Sequence, residues 1–150
     1  MMLDLLIALQ AIQVAFLWLH EWAPVPPLND LESVRAADST WRLIVVTLIQ
    51  SVPYTIGLVF SLVDRSGGFP GWLWTWLWIS YGLLFVGELR AWWLPYLLRP
   101  EPERAARYRV LFGATHAFLP EHNGIRPNTL HVILHAGTAA TLVVLALLTV

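Results

Sequence analysis

Apolar residues along this chain do not alternate with polar ones at a short period; they gather into four long blocks, residues 3–22, 41–63, 72–93 and 129–150. Each block is close to the ~20 residues that a helix needs to cross about 30 Å of hydrocarbon. The pattern predicts an all-α integral membrane protein, a single domain over residues 1–150 built as an antiparallel bundle of four transmembrane helices. Tryptophans alternate from Trp72 to Trp78, which in a soluble protein would suggest a strand, but the length of the surrounding block decides for a helix. The first block reads as a retained helix. Asp4 stands where a cleaved signal carries basic residues, and the apolar run exceeds a usual signal core.

The connections carry their own signals. Between the first two spans, three prolines precede a short helix from about Asp30, which ends before Thr40 can cap span two. "DRSGGFPG" is a tight Gly-rich turn. In the longest connection Pro102 opens an interfacial helix over 102–112 with Gly113 as its stop, Tyr108, Leu111 and Phe112 facing lipid and Arg104, Arg107 and Arg109 facing headgroups. Further on, "HNG" suits a turn, and Pro127 with Asn128 suits the start of span four, Asn128 capping it.

Composition sharpens this picture: the chain is 57% hydrophobic and 13% charged, with a mean hydropathy of +0.62. Without cysteine, disulfides, thiolate catalysis and cysteine zinc sites are excluded. All nine basic residues are arginines, and their placement is uneven. Arg35, Arg42, Arg90, Arg99, Arg104, Arg107, Arg109 and Arg126 border two connections, whereas Arg65 alone sits on the other side. The positive-inside rule then puts both termini outside and the Arg-rich connections in the cytoplasm, a bacterial cytoplasmic membrane being the expected location. Trp18, Trp22, Trp41, Trp92 and Trp93 fall at the cytoplasmic ends, where amphipathic rings belong. The arginines lie beside spans without a reader motif, so nucleic acid is not an expected partner.

Polar residues within spans point inward, because hydrocarbon offers them no partner. Thr47, Gln50, Tyr54, Gly57 and Ser61 share one face of span two; Gln10, Gln13 and His20 share one of span one. Tyr81 and Glu88 lie on span three, and His131, His135 and Thr138 on span four. Gln13, Thr47, Gln50, Tyr54, Tyr81 and Thr138 are the expected lining of a pocket. Glu88 is the sharpest signal, since a carboxylate at membrane depth costs about 2.5–3.5 kcal/mol even on permissive scales. It reads as a partner of Arg90 or of another span, as a proton carrier, or as a metal ligand.

His131 and His135, at i and i+4, offer two imidazoles from one helix face. With His20 and Glu88 at similar depth, and His116 folding back from the loop, they are candidate ligands of a divalent metal ion; otherwise they are ordinary interfacial histidines. A haem between spans one and four fits less well, because such sites usually lack the carboxylate. No phosphate loop or nucleophile elbow is present.

Three functions follow as expectations. The first is a proton- or cation-coupled transporter or small-ligand-binding protein centred on Glu88; the second, a metal-dependent enzyme acting on a lipid or isoprenoid-like substrate. The third is an accessory subunit without chemistry. The lipid bilayer is the expected partner, together with a small-molecule or lipid ligand, and Gly57, Gly82 and Gly137 would permit close helix contact in a homodimer.

Overall fold

A computed structural model describes residues 1–149, and the expected extension of the last helix to Val150 lies outside them. Seven α-helices follow in order: α1 (Met2–Leu19), α2 (Leu31–Ala37), α3 (Thr40–Val63), α4 (Gly71–Glu88), α5 (Leu94–Leu97), α6 (Pro102–Phe112) and α7 (Thr129–Thr149), with a π turn over Leu89–Trp93 between α4 and α5. The fold is all-helical; among the described residues the extended pairing is limited to a bridge between His122 and Ile125. That bridge closes a turn in which Asn123 and Gly124 take φ of 53° and 75°, the left-handed region that these two residue types tolerate.

α1, α3 and α7 are long and apolar enough to cross a membrane by length and composition. Their outward surfaces carry Ile12, Ile49, Val63, Ile133 and Leu147, all exposed, as a hydrocarbon-facing helix requires. Four long helices pack in a ring, α1 against α3, α3 against α4, α4 against α7 and α7 against α1. The core between them holds Leu6, Leu17, Leu73, Leu77, Tyr81 and Leu145. Side-chain pairs tie α1 and the turn after it to α3 and the turn after it: Asp4 to Arg65 at 2.6 Å, Gln10 to Ser61 at 3.1 Å, Trp18 to Thr55 at 2.9 Å and Trp22 to Thr47 at 2.9 Å. Gly57 lets α4 come close, since a Cβ there would meet Leu77 Cδ2 at 3.0 Å.

The helix starts follow their capping chemistry. Asp30 accepts the Ser33 N–H at 3.1 Å and so opens α2. The hydrogen bonds of Ser33 hold the Asp30 carboxyl below the ordinary aspartate range. Ser39, not the expected Thr40, caps α3, accepting the Arg42 N–H at 3.3 Å; Thr40 is already the first helical residue.

Two further expectations are corrected. The third long helix does not stop at Trp93 but runs on through a π turn into α5, where the Leu94 N–H bonds the Leu89 carbonyl. Pro95 supplies the reason: it has no N–H for the Ala91 carbonyl four residues back. That carbonyl instead accepts the Tyr108 hydroxyl at 3.1 Å and the Arg104 guanidinium at 3.4 Å. The same contact corrects the interfacial helix: Tyr108 and Phe112 of α6 stack on Trp92, and Leu111 is buried, so this face covers the bundle instead of meeting lipid.

Candidate functional site

A cavity of about 380 Å³ lies between α1, α3, α4 and α7, and His20, Gln50, Tyr54, Glu88, His131 and His135 all line it. Tyr54 and Leu77 mark where α3 and α4 are in close contact, the Tyr54 hydroxyl donating to the Ser80 carbonyl at 3.2 Å. Beyond that level Ile49 and Gln50 of α3 and Leu83 and Gly87 of α4 are at once cavity walls and exposed residues. The cavity therefore opens sideways between α3 and α4, on an apolar outer surface.

Glu88 brings a carboxyl group into the cavity wall and is 6% exposed. Its Oε1 accepts the Thr138 hydroxyl at 2.8 Å, while Oε2 is buried with no hydrogen-bond partner. Arg90 does not pair with it; that side chain reaches Glu101 at 2.7 Å instead. Thr138 also stands 3.1 Å from Gln13 Oε1, and Gln13 Nε2 donates to Thr141 at 2.6 Å. Gln13 and Thr138 thus form a polar column behind Glu88 and are not in the cavity wall. Leaving one carboxylate oxygen unbonded in an apolar surround is costly, so the group calls for a proton or for a donor from the cavity.

The histidine tautomers follow from their partners. The indole N–H of Trp93 can only donate, and it lies 3.1 Å from His135 Nδ1. That atom must be an acceptor, so His135 is neutral with its proton on Nε2. Asn128 Oδ1 takes the backbone N–H of His131 at 3.1 Å and faces His131 Nδ1 at 2.6 Å, while Asn128 Nδ2 donates to Leu28 O at 3.4 Å. His131 Nδ1 is then a donor and its Nε2 free to accept. His20 is alike: Nδ1 donates to the Phe16 carbonyl at 3.1 Å, leaving Nε2 free, 3.8 Å from Glu21 Oε1. The π turn matters here, because it widens the helix and brings both Trp92 and Trp93 onto α7, Trp92 lying 4.6 Å from the His131 ring.

The remaining expected residues lie elsewhere. Thr47 accepts the Trp22 indole and donates to Glu21 at 3.2 Å, outside the cavity wall. Tyr81 is fully buried behind it, edge-on to Tyr54 at 5.3 Å. His116 does not fold over the cluster: it is exposed and bonded to Thr129 at 2.7 Å, tying the loop to the start of α7. Among the described residues, no group of three or more His, Asp or Glu side chains is placed to hold a metal ion. Sequence reading placed Trp92 and Trp93 at the headgroup level and Asn128 at the cap of the last span, but missed that all three hold the histidines; the signal available was the Trp-Trp pair four and five residues after Glu88, followed by Pro95.

No protein-family model, curated protein or solved structure matches this chain.

Proposed function

We propose that the chain is an antiparallel four-span membrane protein, α1, α3, α4 with its π-turn extension, and α7 being the spans, and that it binds a small amphiphile drawn sideways from the bilayer, exchanging a proton at Glu88 as it does so. This is the chemistry of a small proton-coupled carrier. Both termini lie outside, and the Arg-rich connections lie in the cytoplasm, by the distribution of arginine. Opposed pairing supports the antiparallel arrangement: partner numbers fall along α3 as they rise along α1, and Glu88 and Trp93 of the third span meet Thr138 and His135 of the fourth. α4 carries Trp72, Trp74, Trp76, Trp78 and Glu88; Trp72 and Trp74 at its start suit headgroup depth, while Trp76 lies deeper and donates to the Pro53 carbonyl of α3 at 3.0 Å.

The observation that carries the reading is the buried, unpartnered Oε2 of Glu88 in a cavity open between α3 and α4. An apolar ligand body would meet Leu17, Leu84 and Leu134, and a head that donates a hydrogen bond or bears positive charge would meet Glu88, with the Tyr54 and Trp92 rings beside it. When a cationic head arrives the carboxyl gives up its proton, and when the head leaves it takes one back, so the buried charge is never left alone. The metal-dependent enzyme is the weaker reading, because among the described residues no three His, Asp or Glu side chains are placed to share a metal ion, and His135, whose Nδ1 accepts the Trp93 indole, carries its proton on Nε2.

Dicyclohexylcarbodiimide, which partitions into apolar sites and takes up the O–H of a protonated carboxyl across one of its C=N bonds, tests this in detergent micelles. Intact mass should show one adduct at Glu88, absent in Glu88→Gln, and slowed by a long-chain tertiary amine, which cannot itself be coupled to the carboxyl, more than by the matching sulfonate. A folded protein whose Glu88 stays unmodified at every pH, or amine and sulfonate of equal effect, would sink the proposal.

A further inference from the structure

A second, smaller cavity of about 60 Å³ lies on the opposite side of the histidines, between the end of α1, α2, α6 and the start of α7. Its wall includes Glu21, Asp30, Asp38, Asn128, His20 and His131. The last two residues also line the large cavity, so they form the partition between the two spaces. Their rings stand edge to face, centroids 6.1 Å apart, braced by Phe16 at 4.8 Å from His20 and by Trp92 at 4.6 Å from His131. On one side of this partition are three carboxylates; on the other is Glu88.

We infer that the small cavity is a proton vestibule and that the His20–His131 partition passes protons between it and Glu88, giving the carboxyl a route to the aqueous side separate from the sideways opening used by the ligand. This rests on the reading that Glu88 exchanges a proton. The volume admits about two waters at ~30 Å³ each. Both partition histidines keep their Nδ1 protons on fixed acceptors, Phe16 O and Asn128 Oδ1, and both have Nε2 free. Vestibule water protonated from the aqueous side gives its extra proton to His131 Nε2, the water returning to neutral and the ring becoming imidazolium without losing the Asn128 bond, and the ring then releases a proton from Nε2 through cavity water to the carboxylate of Glu88. The N–H bond breaks, the O–H bond forms, and the ring returns to neutral. His135 cannot take this part, because its Nδ1 must stay an acceptor for Trp93.

The charged groups around the partition are unequal. Asp38 is held by Arg42 and by Arg107 at 2.7 Å, and Asp30 by its own cap at Ser33. Glu21 faces His20 at 3.8 Å and accepts the Thr47 hydroxyl, with no arginine on it. Glu21 is therefore the group of the vestibule best placed to collect a proton and to stabilise a charged His20. From the cavity side the facing groups are Glu88 and the neutral His135.

The test is a pH jump on the whole protein in lipid nanodiscs, followed by time-resolved infrared at the protonated-carboxyl stretch, the band being assigned by its loss in Glu88→Gln. His131→Phe keeps the aromatic packing and should slow the rise of the band at least tenfold; Glu21→Gln should slow it severalfold with the final amplitude retained. Should His131→Phe fail to fold, Glu21→Gln decides. Wild-type rates in both variants, or in Glu21→Gln when it decides alone, would overturn the relay while leaving the carrier intact, the proton then arriving between α3 and α4. Absence of a Glu88 band at every pH would overturn the carrier and the relay together.

Discussion

Thr138 is the residue on which the depth and direction of Glu88 depend, and its replacement gives a number. The hydroxyl has one proton and three acceptors in reach: Glu88 Oε1 at 2.8 Å, Gln13 Oε1 at 3.1 Å and the Leu134 carbonyl at 3.2 Å. Thr138→Val keeps the volume and removes a donor shared by a carboxyl and an amide from different helices. A buried acceptor left unsatisfied costs about 1–3 kcal/mol, while inter-helix hydrogen bonds within membranes measure about 0.6 and at most about 1.7 kcal/mol, because the denatured state in lipid also finds partners. The expected loss is about 1–2 kcal/mol. Unfolding of the reconstituted protein in mixed micelles, followed by circular dichroism, would measure it, and Thr138→Ser should recover most of the loss. In a cycle with Glu88→Met the coupling should exceed the ~0.5 kcal/mol scatter of independent sites. Additive losses in that cycle, or a serine variant as unstable as the valine one, would refute the argument that this hydroxyl holds Glu88 in place.

Four shorter expectations rest on other parts of the structure. Gly57→Ala puts a Cβ 3.0 Å from Leu77 and should lower stability by about 1–3 kcal/mol, whereas Gly82→Ala, with nothing within 4 Å, should be neutral or stabilising in the same unfolding assay. Nitrogen-15 NMR of labelled histidine should find His135 as the Nε2–H tautomer, and Trp93→Phe should abolish the hydrogen-bonded signature at Nδ1. Tyr108→Phe removes the hydroxyl on the Ala91 carbonyl and should raise amide exchange of the π turn relative to α4, read by hydrogen exchange with mass spectrometry. Finally, hydrogen bonds from Arg104 and then Arg90 hold the Glu101 carboxyl below its ordinary 4.5. A depressed folded value means that the stabilisation is complete above 4.5 and is lost as pH falls through the lowered value. Melting against pH should show an acid limb that is shallower in Glu101→Gln and weaker in high salt, since the group is only partly buried.

Much of the architecture could be read along the chain, because burial in hydrocarbon imposes its pattern locally. Block length and apolar content marked α1, α3 and α7, Asp30 announced the start of α2, and Pro102 with Gly113 bounded α6. Helical period likewise put Gln50 with Tyr54 and His131 with His135 on common faces, and Glu88 stood out because a carboxylate at that depth needs a reason. What the period cannot supply is the rotation of one helix against another. Thr138, not Arg90, reaches Glu88; Thr47 turns to Trp22; and His116 turns to Thr129, all because of how whole helices dock. Nor does local propensity foresee the π turn. Pro95 removes one N–H, but whether the freed carbonyl widens the helix or breaks it depends on Tyr108 and Arg104 arriving from α6. The chain by itself determined which segments leave water and which residues are too polar to face lipid, since both depend on transfer free energies of single side chains. Only the tertiary structure decided that His20 and His131 divide two cavities and that His135 is held neutral by an indole, since those are properties of pairs brought together from distant parts of the chain.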